Sequence, residues 1–280
     1  MITSSRRRSL AVLLALVVIS ATSTVTFANH AWGTYHWARQ SNPFVLKHGD
    51  NLTATDWKAY LRTAAADWNA GNTPVIVSVV AGQSSKRCGM VAGTTQVCNG
   101  TYGFNGWLGL ASINVNGSHI TQGSAKMNDS YFNSSTYNNP NEKLHVMCQE
   151  IAHTYGLAHQ SEDGSSQNSC MDYFSNTGVN ATSTLSTKPN AHDFDMLRSI
   201  YAHLDTFTTV STTAAATAGM SDVTEDPNSW GSLMSQSRNG RSSTYERANA
   251  DGSHTITHVF WTEEAAERGA MHDHRYDHDH

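Results

Sequence analysis

The residues best suited to chemistry lie in one stretch of sequence, CQEIAHTYGLAHQ, which begins at position 148. Gln149 and His153 are four residues apart, so a helix places them on one face, and Glu150 borders the same cleft. Gly156 can adopt a positive φ angle and turn the chain, which would bring His159 back towards His153. Two imidazoles with one further ligand and an open position are typical of a catalytic zinc site. A carboxylate beside such a metal can take a proton from water, so the stretch predicts hydrolytic chemistry.

The same stretch resembles the H-E-x-x-H-x-x-G-x-x-H signature of the metzincin metallopeptidases, the clan with matrixin-like and astacin-like members. Shortly downstream, the sequence SCMDY at 169–173 resembles the Met-turn of that clan. The resemblance covers roughly residues 30–206 and implies hydrolysis of peptide bonds with a Zn²⁺ cofactor. The site residues that it implies are Glu150 as the general base, His153, His159 and Gln149 at the metal-ligand positions, Met171 beneath the metal, and Tyr173 as a hydrogen-bond donor to the transition state.

Gln149 is where the sequence departs from the signature, because the clan has His at this position. A neutral amide oxygen is a weaker zinc ligand than an imidazole. Three outcomes are therefore open: Gln149 ligates the metal, another residue fills its position, or the site is degenerate. His145, one turn earlier, is a candidate for the second outcome, although the register of the signature argues against it. The presence of Glu150 favours an active site.

The elements around the signature follow from hydrophobic periodicity and turn residues. Together with the resemblance, they imply an α+β fold of the zincin type: a mixed, twisted, mostly parallel sheet, an active-site helix, a Met-turn and a C-terminal extension. The resemblance also implies that substrate lies along an edge strand, for which we expect 106–114. The predicted helices are 56–69, 142–157 and 191–204, the predicted strands are 75–80, 106–115 and 120–127, and 84–101 and 130–141 are predicted loops.

The N-terminus has the pattern of an export signal, which predicts a secreted protein. Arg6, Arg7 and Arg8 precede an apolar run over 10–19, and small residues before position 29 form a plausible cleavage site. This run is shorter than the roughly 20 residues of a membrane span, so we expect no stable span after signal removal. The predicted organisation is a signal peptide at 1–28, a metallopeptidase domain at 29–206, a Thr/Ala-rich linker at 207–225, and a small C-terminal region with a His/Asp-rich tail at 226–280.

Four cysteines lie beyond the signal, and an even number in an exported chain favours disulfides. Four cysteines allow three pairings, which the sequence leaves open. The most local choice joins Cys88 to Cys98 and Cys148 to Cys170. The second of these bridges would connect the predicted helix 142–157, which carries His153, to the Met-turn.

Composition excludes some classes of function. Charged residues make up 15 % of the 280 residues and the formal net charge is −5, so no basic stripe is available for a nucleic-acid partner. The expected partner is a protein or peptide substrate, and the sequence leaves the oligomeric state open. The predicted function is that of a secreted zinc endopeptidase. The alternative is a secreted binding or structural protein that keeps the fold with an impaired metal site.

Overall fold

A computed structural model describes residues 30–84, 88–211 and 224–273. The predicted signal peptide at 1–28, the middle of the predicted linker and the end of the His/Asp-rich tail lie outside the described residues. In the described part of the chain, no helix is long and apolar enough to cross a membrane.

The fold is α+β and is built on one mixed sheet of nine strands. Its spatial order is β3-β2-β4-β6-β5-β9-β8-β7, with β1 paired to β6. The strands are β1 (His36–Trp37), β2 (Phe44–Asp50), β3 (Val75–Ala81), β4 (Thr94–Gly100), β5 (Trp107–Asn116), β6 (His119–Asn128), β7 (Ser232–Gln236), β8 (Ser242–Ala248) and β9 (His254–Trp261).

The expectation of a mostly parallel sheet is wrong. The pairs β1–β6, β2–β3, β2–β4 and β4–β6 are parallel, whereas β5–β6, β5–β9, β8–β9 and β7–β8 are antiparallel. The second half of the sheet is antiparallel because β7, β8 and β9, which follow the predicted linker, extend the same sheet. The strands after the predicted linker are therefore continuous with the sheet of the preceding residues.

β5 was expected to be the edge strand that receives substrate, and this expectation is also wrong. It lies between β6 and β9, with hydrogen-bonded pairing on both sides. A strand with both sides paired has no free row of N–H and C=O groups for another chain. The hairpin turn between β5 and β6 lies at Asn116 and Gly117, between the predicted strands 106–115 and 120–127, and Gly117 adopts a φ of +59° there.

The predicted loop at 84–101 contains β4, which the sequence missed. Every residue of Thr94–Asn99 in this strand is buried. Its polar composition hid it, because polar residues such as Thr95 and Gln96 replace the apolar run typical of a central parallel strand. Their side chains are hydrogen-bonded, as in the 3.1 Å contact between the Thr95 and Thr154 hydroxyls.

In the described ranges, five α-helices accompany the sheet: α1 (Thr55–Asn69), α2 (Asp129–Phe132), α3 (Pro140–His153), α4 (Ala191–Ile200) and α5 (Glu263–Asp273). α3 begins firmly because the Asn139 side chain accepts a hydrogen bond from the Glu142 N–H and Pro140 occupies the first turn. It packs against α1, β5 and β6. The Trp68 indole of α1 donates to the Cys148 carbonyl at 3.2 Å, which fixes the helix pair beside the site.

Candidate metal centre

The end of α3 brings the two signature histidines together. The helix stops at His153, four residues before the predicted end. Gly156 then adopts a φ of +91°, and a Cβ at this position would overlap the carbonyl oxygen of Tyr35. The sharp turn returns the chain, so that His159 Nε2 lies 3.1 Å from His153 Nε2. The sequence anticipated both the turn and this approach.

A third imidazole comes from the far end of the chain, and the sequence analysis did not anticipate it. His258 lies in β9, opposite Ala111 of β5, and its side chain is only 1 % exposed. The ligand atoms of His153, His159 and His258 all lie within 4.8 Å of one another. The sequence did contain a signal for it. His258 lies in an apolar run, THVFW, and the chain has Gln149 where the signature that it resembles has its first histidine.

Hydrogen bonds orient the three rings. His153 Nδ1 lies 2.8 Å from the Leu157 carbonyl, His159 Nδ1 lies 2.9 Å from Glu162 Oε1, and His258 Nδ1 lies 3.3 Å from Glu150 Oε2. An acceptor at every Nδ1 holds the proton on that nitrogen, so the lone pair of each ring lies on Nε2. Three lone pairs then face one another, and this donor set fits a divalent cation such as Zn²⁺.

Burial keeps these imidazoles neutral. It lowers the pKa of His153 and of His258 well below the usual range, with a further decrease from the neighbouring histidines. The pKa of His159 is also lowered by burial, although its contact with Glu162 acts in the opposite direction. Neutral imidazole is the form that binds a metal ion, so the cluster is poised for ligation without first losing protons.

Glu150 is fully buried beside the cluster. Burial raises the pKa of its carboxyl well above the ordinary value. Oε2 contacts His258, whereas Oε1 is buried and has no hydrogen-bond partner among the described residues. Gly109 of β5 lies against this carboxyl, since a Cβ there would come within 2.5 Å of Oε1. The glycine therefore leaves the space that Glu150 occupies.

Tyr173 closes the cluster on another side. Its hydroxyl lies 2.8 Å from His159 Nε2 and 2.8 Å from His258 Nε2. Burial raises its pKa well above the usual range, so the phenol stays protonated. Met171, two residues earlier, is fully buried in the main core.

Gln149 uses its amide nitrogen to hold the segment that contains Met171. Its Nε2 donates to the carbonyls of Cys170 and Asp172, each at 2.9 Å. Its Oε1 is buried without a hydrogen-bond partner in the described chain. The expected role of Gln149 as a metal ligand stays a prediction. His145, one turn earlier on α3, contacts the same segment, with Nε2 3.0 Å from the Asp172 carbonyl.

The two disulfides follow the most local of the three possible pairings. One joins Cys88 to Cys98 of β4, and the other joins Cys148 to Cys170. The second bridge connects α3 with the segment that contains Met171, beside the hydrogen bonds of Gln149. The Cys148–Cys170 bridge and the two hydrogen bonds of Gln149 fix the position of this segment relative to the helix that carries His153.

Two clefts adjoin the cluster. One, of about 370 Å³, is lined by Tyr173, Arg241 and Glu263 among others. The second, of about 500 Å³, is lined by Glu162 and neighbouring residues. Tyr173 and Glu162, which line these clefts, both contact His159.

Comparison with known proteins gives little further information. No family model matches the chain, and no curated protein matches it. A solved structure of myroilysin is similar with a TM-score of 0.34 and 13 % identity, over 59 % of this chain and 96 % of that one. A crystal structure of myroilysin gives a TM-score of 0.26 and 14 % identity, over 67 % and 81 % of the two chains. At such low values the function has to be argued from the residues of the site.

Proposed function

We propose that this protein is a secreted metal-dependent peptidase, with Zn²⁺ held by His153, His159 and His258. The observation that carries the proposal is the orientation of the three rings, whose Nδ1 atoms have acceptors while their Nε2 atoms face one another. His258 supplies the third imidazole in a chain whose signature has Gln149 instead of His.

The cation held there would supply Lewis acidity, which makes water nucleophilic near neutral pH and polarises the scissile carbonyl. Glu150 has two tasks, one for each carboxyl oxygen. Oε2 accepts the Nδ1 hydrogen of His258 and orients the ring, as carboxylates do for metal-binding histidines. Oε1 is left to take a proton from water and pass it to the leaving amine.

Tyr173 acts as a hydrogen-bond donor. Its high pKa keeps the hydroxyl protonated, and its contacts with His159 and His258 place it beside the proposed cation, where it would donate to the reacting carbonyl oxygen. Gln149 acts as a positioning residue, since its amide nitrogen holds the segment of Met171 against α3.

Substrate cannot lie along β5 as the sequence analysis expected, because β5 is not an edge strand. β9 occupies the side of β5 that would otherwise be open to a peptide. We propose that the scissile bond enters from the clefts on the His159 side, near Tyr173 and Glu162. The alternative function, a binding protein with a metal site but no catalysis, is favoured by the burial of the cluster, in which His153 and His258 are each 1 % exposed.

The test is the zinc content and the peptidase activity of the full chain, purified without chelators. His258→Ala and His153→Ala should each reduce the zinc content by one equivalent relative to the parent, whereas Gln149→Ala should retain it. If Gln149→Ala loses this equivalent and His258→Ala retains it, the proposed ligand set is wrong.

Glu150→Gln separates the peptidase from the binding protein. The amide retains an acceptor for His258, so zinc should stay bound, while hydrolysis of a peptide library should fall by roughly 100-fold or more. Glu142→Gln is the matched control, because Glu142 is also a fully buried carboxyl on α3 and lies away from the three imidazoles. A parent that binds zinc but cleaves no peptide would support the binding protein instead.

A further inference from the structure

A second group of metal-ligating side chains lies outside the centre described above. It consists of His36 in β1 and of His203 and Asp205, which follow α4. Each offers one ligand atom, and these atoms all lie within 4.8 Å of one another. His36 and Asp205 are largely buried, whereas the His203 side chain is 51 % exposed. The group is therefore anchored in the protein and open to solvent on one side.

The distances within the group match those between the ligands of a metal ion. His36 Nε2 lies 3.1 Å from His203 Nε2, and Asp205 Oδ1 lies 3.5 Å from the first and 3.7 Å from the second. Nitrogen and oxygen ligands at about 2.0–2.1 Å from tetrahedral zinc are separated by about 3.3 Å. One cation could thus contact all three atoms after small adjustments.

Hydrogen bonds hold two of the ligands ready. His36 Nδ1 lies 2.8 Å from the Thr34 carbonyl, so this nitrogen carries the proton and Nε2 presents its lone pair. Arg39 binds the other oxygen of Asp205, with Nη1 donating to Oδ2 at 3.0 Å, and also donates to the carbonyl of His203. The arginine fixes Asp205 and leaves Oδ1 facing the two imidazoles.

His119, at the start of β6, lies beside this group. Its Nε2 is 3.3 Å from Asp205 Oδ1, and its ring stands edge-on to His36. It thus approaches the same carboxyl oxygen, beside the two imidazoles.

We propose that His36, His203 and Asp205 form a second binding site for a divalent cation such as Zn²⁺, separate from the peptidase centre. A cleft of about 230 Å³, lined by His36 and His203 among others, gives the cation access from solvent. Because the His203 side chain is 51 % exposed, water would be available to complete the coordination of the cation. One carboxylate and two imidazoles with an open position are ligands that zinc accepts.

The role of this site is to stabilise the end of α3. Trp37, next to His36, donates its indole N–H to the Thr154 carbonyl at 2.8 Å. The Tyr201 hydroxyl, close to His203 in the chain, donates to the Tyr155 carbonyl at 2.8 Å. Both bonds hold the turn that returns the chain after α3, so a cation that joins β1 to the segment after α4 also secures this turn.

The experiment measures the zinc content of the full chain after dialysis against a defined concentration of free Zn²⁺. The chain carries four histidines in its tail, at 272, 274, 278 and 280, and these are replaced by Ala in every variant so that the tail contributes nothing. A further group, formed by His30, His192 and Asp193, could also hold a metal. The result is therefore the difference between variants and not the absolute zinc content.

His203→Gln is the principal variant, because its exposed side chain can be replaced without disturbing the core. It should bind one equivalent less than the parent, and its melting temperature should respond less to added zinc. His254→Ala is the matched control: it is another partly exposed histidine beside a carboxylate, Glu246, and among the described residues it belongs to no group of three ligands. It should bind as much zinc as the parent.

The proposal is overturned if folded His203→Gln, verified by circular dichroism, binds as much zinc as the parent. His36→Ala should give the same loss as His203→Gln, and a loss in only one of the two would also overturn it. This outcome is independent of the peptidase proposal. His258→Ala removes a different equivalent, and the His203→Gln deficit should persist in the double variant.

Discussion

A buried histidine in β2 gives the sharpest prediction for stability. The His48 side chain is fully buried, its ring lies 5.5 Å from the ring of Tyr155, and neither ring nitrogen has a hydrogen-bond partner among the described residues. Burial lowers the pKa of His48 from 6.5 to about 3. The folded protein therefore keeps this ring neutral at pH values where the unfolded chain protonates it.

The sign and size of the effect follow from proton linkage. Below the unfolded pKa of about 6.5, the unfolded state binds one more proton than the native state, so stability decreases as the pH falls. Each pH unit in this range costs about 1.4 kcal/mol until the folded pKa is reached. Between about pH 7 and about pH 4, His48 alone should remove about 3 kcal/mol from the free energy of unfolding.

Urea unfolding of the parent and of His48→Leu at both pH values measures this contribution. Leu has a similar volume and no polar atoms, so the variant should be at least as stable as the parent near neutral pH. The free energy of unfolding should decrease by about 3 kcal/mol less in His48→Leu than in the parent over the same pH interval. The other buried histidines titrate in both proteins and cancel in the comparison. Equal decreases in the two proteins would refute the reasoning.

Three further predictions concern the site and its support. Gly109→Ala should displace the Glu150 carboxyl, because the new Cβ meets Oε1 at 2.5 Å, so peptidase activity should fall by about 10–100-fold while bound zinc, measured by mass spectrometry, is retained. Gly156→Ala should lower the free energy of unfolding in urea by more than the roughly 1–2 kcal/mol that a left-handed conformation costs a residue with a side chain. Gly103→Ala is the control, because this glycine has a similar φ of +94° and nothing within 4 Å, so it should show the backbone cost alone. Equal decreases in the two variants would contradict the predicted overlap with a backbone carbonyl. Replacing both Cys148 and Cys170 by Ala opens a loop with a separation of 22 residues and should lower the free energy of unfolding by roughly 3 kcal/mol; an unchanged urea midpoint would show that the other contacts of α3 suffice.

Local sequence patterns predicted the elements that depend only on residues close together in the sequence. The apolar face of α1, the strand β3 and the turn at Gly117 all followed from spacing and turn residues. β4 was missed because several of its buried residues are polar and find hydrogen-bond partners, as Thr95 does with Thr154 after α3. The pairing of β9 with β5 was missed because it is a contact between distant parts of the sequence, which no local period encodes.

In the candidate site too, residues close together in the sequence were predicted and those brought together by distant contacts were not. Glu150, His153 and His159 belong to one helix and one turn, so a short motif was enough to predict that they lie close together. His258 reaches them only through strand pairing, and its partner strand was expected to be an edge. The role of Gln149 depends on where the segment of Cys170 and Asp172 lies, which the sequence could not supply.

The order of the strands also has a consequence for biosynthesis. β9 is the last strand of the sheet, and it carries His258. A nascent chain that ends before this strand has two of the three proposed imidazoles, however well α3 has formed. With the ligand set proposed here, the centre is complete only after the chain has been made as far as β9 and this strand has paired with β5. Hydrolytic capacity would therefore depend on strand pairing and would not be a property of the helix that bears the motif alone.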